Sequence, residues 1–82
     1  AVNAGNKEIA LINSDGHLYA IDNACKHRGG PLAEGDLDGM SVTCPWHGWQ
    51  FDIASGKCHN MLGVTTCCYP VKVEGGRVLI DV

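Results

Sequence analysis

Cys25-Lys26-His27-Arg28-Gly29-Gly30-Pro31-Leu32 and Cys44-Pro45-Trp46-His47-Gly48-Trp49-Gln50-Phe51-Asp52 decide how this chain is read. Each stretch places a cysteine just before a histidine, inside a run marked by glycine and proline, and the 16 residues from Arg28 to Thr43 separate the two pairs. Thiolate and imidazole are ligands for both zinc and iron. Cys25, His27, Cys44 and His47 are therefore candidate metal ligands. A mixed set of two sulfurs and two nitrogens suits either a tetrahedral zinc or a [2Fe–2S] centre. A Cys-x-His step is shorter than the usual two-to-four-residue zinc knuckle, and it joins unlike ligands within one loop. A two-iron cluster accepts that arrangement, because each loop can give its Cys to one iron and its His to the other. Both metals remain open on spacing alone.

Outward from these boxes the chain reads as short strands. Glu8 to Ile12 and His17 to Asp22 flank the turn formers Asn13-Ser14-Asp15-Gly16, a hairpin signal. Tyr69 to Glu74 alternates, with Tyr69, Val71 and Val73 on one face. Gly75-Gly76 then turns the chain, and Arg77 to Val82 alternates again with Val78, Ile80 and Val82 on one face. Ser41 to Cys44 and Trp49 to Asp52 read as strands on either side of the second box. Asn23 to Gly39, with four glycines and scattered apolar residues, reads as a long ordered loop that something must hold. No stretch keeps a 3.6-residue apolar period for three turns, so helix content is expected to be low.

Length and composition narrow the function. At 82 residues the chain has room for one domain, with a core small enough to benefit from a staple such as a metal or a disulfide. Five cysteines are an odd number, so a closed disulfide framework cannot use them all. Nine acidic residues against six basic ones give a net charge of −3, with no Lys/Arg cluster to neutralise phosphates, so nucleic acid is not an expected partner. The longest aliphatic run, Ile9 to Ile12, is far short of the ~20 residues that a membrane-spanning helix needs. No membrane partner is expected. A cysteine-nucleophile enzyme would require a substrate pocket and an orienting third group, for which so short a chain leaves little wall.

The two boxes resemble the cluster-binding motif of Rieske proteins, in particular the soluble Rieske-type ferredoxins and the Rieske domains of oxygenases. Both boxes, their internal spacing, the Gly-Gly-Pro after the first His and the Gly after the second carry the resemblance. It extends to the closing Tyr69-Pro70-Val71-Lys72-Val73-Glu74-Gly75-Gly76-Arg77-Val78 run. It implies one [2Fe–2S] cluster, with Cys25 and Cys44 on the buried iron and His27 and His47 on the exposed one. The implied fold is all-β: a small antiparallel β-sandwich base, 1–22 and 53–82, carrying a cluster-binding part, 23–52, made of two loops. High-potential members of the family have an additional Cys in each box, at the positions of Gly30 and Trp46 here, so that bridge is absent. Their cluster-side hydroxyls are replaced by Trp49 and Phe51. The resemblance therefore points to the low-potential, oxygenase-associated branch, whose members pass electrons from a reductase to a terminal oxygenase.

The charges make sense of this. Two bridging sulfides, two ferric ions and two thiolates sum to zero, and neutral imidazoles add nothing. Reduction then goes from 0 to −1, against −2 to −3 for a four-thiolate cluster, so the electron is accepted at a higher potential. The expected function is one-electron transfer rather than catalysis, with the exposed His27 and His47 edge as the docking point and the cytoplasm as the location. A Rieske domain excised from a larger oxygenase or reductase is the alternative, mildly favoured by the absence of Met at position 1; a zinc-binding structural module is the third reading. Lys26 and Arg28 bracket His27, while Glu34, Asp36 and Asp38 lie farther along the loop and could orient a partner or simply be solvated. Of the remaining cysteines, Cys67 is expected to point inward and Cys68 outward, both as packing residues, and Cys58 to be exposed. Trp46 and Trp49 flank His47 as either a solvent shield or a loop anchor.

Overall fold

Both hairpin signals are realised, and the first is longer than its apolar pattern suggests. The computed structural model describes residues 2–25, 30–46 and 48–81. β1 (Val2–Ala4), β2 (Lys7–Ser14) and β3 (His17–Asp22) form an antiparallel meander that a short β7 (Cys68–Tyr69) completes, in the order β1-β2-β3-β7. Asp15 and Gly16 alone connect β2 to β3. Both have positive φ, 54° and 83°, as a mirror-image two-residue hairpin turn requires, so Asn13 and Ser14 stay in the strand. β4 (Asp36–Asp38), β5 (Ser41–Thr43) and β6 (Gln50–Asp52) make a second antiparallel sheet, and β8 (Val71–Glu74) with β9 (Arg77–Ile80) a third. The fold is all-β, with one 3₁₀ turn, Leu32–Glu34, among the described residues. Among the described residues no helix is long and apolar enough to cross a membrane.

Three expectations are corrected by this arrangement. Asn23 to Gly39 is not simply a loop, since its described part contains the 3₁₀ turn and β4, which pairs with β5 from Asp36↔Thr43 to Asp38↔Ser41. Tyr69 to Glu74 is not one strand. Pro70 has no N–H to give a ladder, and the chain changes partners there: Tyr69 pairs with Ala20 of β3, whereas Val71 pairs with Ile80 of β9. The apolar face expected for the last hairpin is also only partly covered, with Val73 and Val78 exposed.

The core lies between the first two sheets. Ala10 and Ile12 of β2, Ile21 of β3, Val42 of β5 and Phe51 of β6 meet Leu32, Ile53 and Cys58 in a single buried cluster. Phe51 is fully buried, worth about 1.5–3 kcal/mol relative to exposure. Cys25 and Cys44 belong to the same cluster, at the point where each box leaves its sheet.

Candidate metal centre

Each box is anchored where it leaves the core. In the first, the Cys25 N–H donates to the Gly30 carbonyl at 2.8 Å and closes the loop on itself. Behind it stands Asn23, buried at the end of β3. Its backbone N–H donates to the Glu8 carbonyl at 3.1 Å, and its carbonyl accepts from Leu32 N–H at 2.7 Å. Its Oδ1 accepts from Ala33 N–H and its Nδ2 donates to Glu8 Oε1, both at 2.8 Å. One side chain therefore ties the far end of the first box to β2. A polar residue at the exit of a strand gave no sequence signal for this role beyond its turn propensity.

The second box is tighter. Cys44 N–H donates to the Trp49 carbonyl at 2.8 Å, and Gly48 N–H donates back to the Cys44 carbonyl at 3.1 Å. Gly48 has a left-handed φ of 75°, a turn that glycine makes at little cost. Farther on, Asp52 begins a turn in which its Oδ1 accepts from Ala54 N–H at 2.8 Å and Ser55 N–H at 2.9 Å. Those bonds, the Ser55 backbone first, hold the Asp52 carboxyl below its ordinary pKa, with the His59 charge adding a smaller pull and burial opposing.

The two boxes meet at Gly30 and Cys44. A Cβ at position 30 would stand 2.8 Å from Cys44 Sγ and 3.0 Å from Trp46 Cγ, so the first box lies directly against the thiol of the second and beneath the Trp46 side chain. Both Cys25 and Cys44 are 3% exposed, whereas Pro45, Trp46 and Gly48 are exposed. Burial separates the tryptophans too: Trp49 packs against the core as an anchor, and Trp46 is 57% exposed. His27 and His47 lie outside the described residues, as do Lys26 and Arg28. Among the described residues no three His, Cys, Asp or Glu side chains come together as a metal site. The described half of the proposed ligand set is thus two buried soft sulfur donors, one from each box, facing the protein interior. That chemistry fits the inner iron of a two-iron cluster.

Comparison with known proteins identifies the family. The Rieske [2Fe-2S] domain model matches residues 1–71. The chain belongs to the Rieske [2Fe-2S] domain family. It is 40% identical over 83 residues to the ferredoxin component of a naphthalene 1,2-dioxygenase system from Pseudomonas aeruginosa, spanning 98% of this chain and 78% of that one. Among solved structures, the Sphingomonas yanoikuyae B1 ferredoxin superposes with a TM-score of 0.89 at 35% identity, covering 99% of this chain and 80% of that one. A ferredoxin solved in complex with the reduced oxygenase of carbazole 1,9a-dioxygenase gives 0.88 at 28% identity, covering 98% and 83%. This Rieske chain is accordingly an electron-carrying ferredoxin with one [2Fe–2S] cluster, not itself a catalyst.

The other cysteines correct the sequence reading. Cys58 is buried, because the Phe51↔Cys58 bridge draws it into the core, with its thiol 3.4 Å from Asn60 Oδ1. Cys67 is exposed rather than inward-facing, although its carbonyl still accepts from Asp22 N–H at 3.0 Å just before β7. Cys68 is exposed as expected, and partial burial together with the nearby Asp52 charge pushes its thiol pKa up.

Proposed function

We propose that Cys25 and Cys44 hold the inner iron and His27 and His47 the outer iron. The chain, as a single Rieske domain over 1–82, takes one electron at a time from a reductase and delivers it to a terminal oxygenase of the aromatic-ring dioxygenase type, in the cytoplasm. The observation that carries this reading is the burial contrast within the second box. Cys44 is sealed in the core three residues before His47, while Trp46 and Gly48 on either side of His47 are exposed. That contrast supports a ligand set with its thiolates on a buried iron and its imidazoles on an exposed one.

When bound, the cluster supplies a single reversible redox equivalent. The protein's own residues do the rest. Ile12, Leu32, Val42 and Phe51 keep water from the cysteine side. Trp46 covers the Gly30 backbone and is itself 57% exposed, an apolar surface beside the second box. A small apolar surface suits a contact that must form and dissociate with each electron delivered. A groove of about 230 Å³ is lined by Val2, Asn3, Ala4, Leu11, Val78 and Ile80. It shares no residue with either box and offers no titratable group. The carrier reading is supported by the ferredoxin relatives.

Stopped-flow mixing of the reduced, cluster-loaded protein with an oxidised aromatic-ring terminal oxygenase tests the proposal. Reoxidation of this protein in step with reduction of the oxygenase, one electron per chain, is expected. A reduced protein that leaves such oxygenases oxidised would contradict it.

A further inference from the structure

Asn60 lies outside both boxes, yet its side chain grips the second one. Its Nδ2 donates to the Gly48 carbonyl at 3.0 Å, and its Oδ1 accepts from Gln50 N–H at 3.1 Å and from the Cys58 thiol at 3.4 Å. The preceding residue adds a fourth link, with His59 N–H donating to the Gln50 carbonyl at 2.7 Å. Gln50 therefore has both backbone groups engaged by residues 59 and 60. Gly48 is held from two sides, because its own N–H reaches the Cys44 carbonyl. Cys58 belongs to the buried core, so the carboxamide is referenced to the interior and not to a free loop tip. From His59 onward through Asn60, Met61 and Leu62 the chain is exposed, so Asn60 grips the second box from the surface while Cys58 anchors it inside.

We propose that Asn60 is a positioning residue for the cluster. Its carboxamide fixes the backbone on either side of Trp49, directly after His47, and so governs how His47 is presented to the outer iron. The inference rests on the assignment of His47 as a ligand. A carboxamide suits the task because one planar group offers a donor to Gly48 and an acceptor to Gln50 at once, which alanine cannot do and a carboxylate can do only by half. Without it, water can satisfy Gly48 and Gln50, but water holds neither in register.

The test uses cluster-loaded wild type, Asn60→Ala, Asn60→Asp and, as a control on the same loop, Leu62→Ala. Two readouts are followed: the EPR g-values of the reduced protein and the rate at which the visible absorption bleaches in excess chelator. Asn60→Ala is expected to shift the g-values and to bleach about tenfold faster, the scale set by two ordinary hydrogen bonds. Asn60→Asp keeps the acceptor to Gln50, loses the donor to Gly48 and should fall between. It provides the same comparison if the alanine variant does not fold. Leu62→Ala should match wild type. Folded Asn60 variants with wild-type g-values and bleaching rates would overturn the proposal. His47→Ala tests the underlying assignment separately: if it leaves the g-values intact, the ligand reading fails, whereas a disruptive His47→Ala beside silent Asn60 variants rejects only the positioning role.

Discussion

Gly30 packs so closely on Cys44 that a single added methyl would stand 2.8 Å from the thiol sulfur and 3.0 Å from the Trp46 ring. This contact joins the two boxes, and it depends on the absence of a side chain rather than on unusual backbone angles, since Gly30 is not among the residues with positive φ. Gly30→Ala should therefore force the boxes apart at Cys44. Overpacking of this kind costs about 1–3 kcal/mol. Chemical denaturation should show a loss in that range, and the visible absorption of the variant should bleach faster in chelator. An alanine variant as stable as wild type would mean that Cys44 and Trp46 can move aside freely.

Asn23 gives the first box its footing. Asn23→Ala removes the acceptor for Ala33 N–H and the donor to Glu8 Oε1 in a site that is nearly closed to water. The expected loss is about 1–3 kcal/mol in denaturant unfolding. A change below a few tenths would show that water replaces both bonds.

Acid sensitivity should trace in part to Asp52. Its folded-state pKa is depressed below 3.8 by the Ser55 and Ala54 N–H bonds, so the carboxylate form stabilises the fold above the unfolded pKa, and that contribution fades as pH falls through the folded pKa. Asp52→Asn should flatten the stability profile between neutral and strongly acid pH, with the difference from wild type greatest near pH 7. Parallel profiles for the two proteins would contradict the depressed pKa.

Thr66 offers an opposite change. Its hydroxyl is buried with no hydrogen-bond partner among the described residues, although its backbone N–H reaches the Gly56 carbonyl at 2.7 Å. Thr66→Val keeps the shape and removes the unsatisfied group, so stability should rise by ~1 kcal/mol. Thermal unfolding that shows a loss instead would indicate that the hydroxyl finds a water in solution.

Much of this protein is legible in its residues, for reasons that can be stated. Asp15-Gly16 and Gly75-Gly76 announce their hairpins because tight turns demand specific backbone conformations. The Cys and His pairs announce a metal because few other arrangements place two soft donors in matched loops. The break at Pro70 was concealed by an alternation that continues across it, and only the absent N–H marks the change of partner. Cys58 looked exposed because it follows a polar turn, whereas its burial depends on pairing with Phe51 seven residues earlier. Asn23 and Asn60 were silent for a similar reason. Their importance lies in which distant backbone groups they reach, and residue type alone carries no record of that.

The central claim is that two histidines and two cysteines share one two-iron cluster. Electron-nuclear double resonance of the dithionite-reduced protein, labelled with ¹⁵N only at histidine, addresses it most directly. Two strongly coupled histidine nitrogens are predicted, one lost in each of His27→Ala and His47→Ala. A [2Fe–2S] signal with no histidine nitrogen coupling, or a colourless zinc-loaded protein with no signal at all, would contradict it.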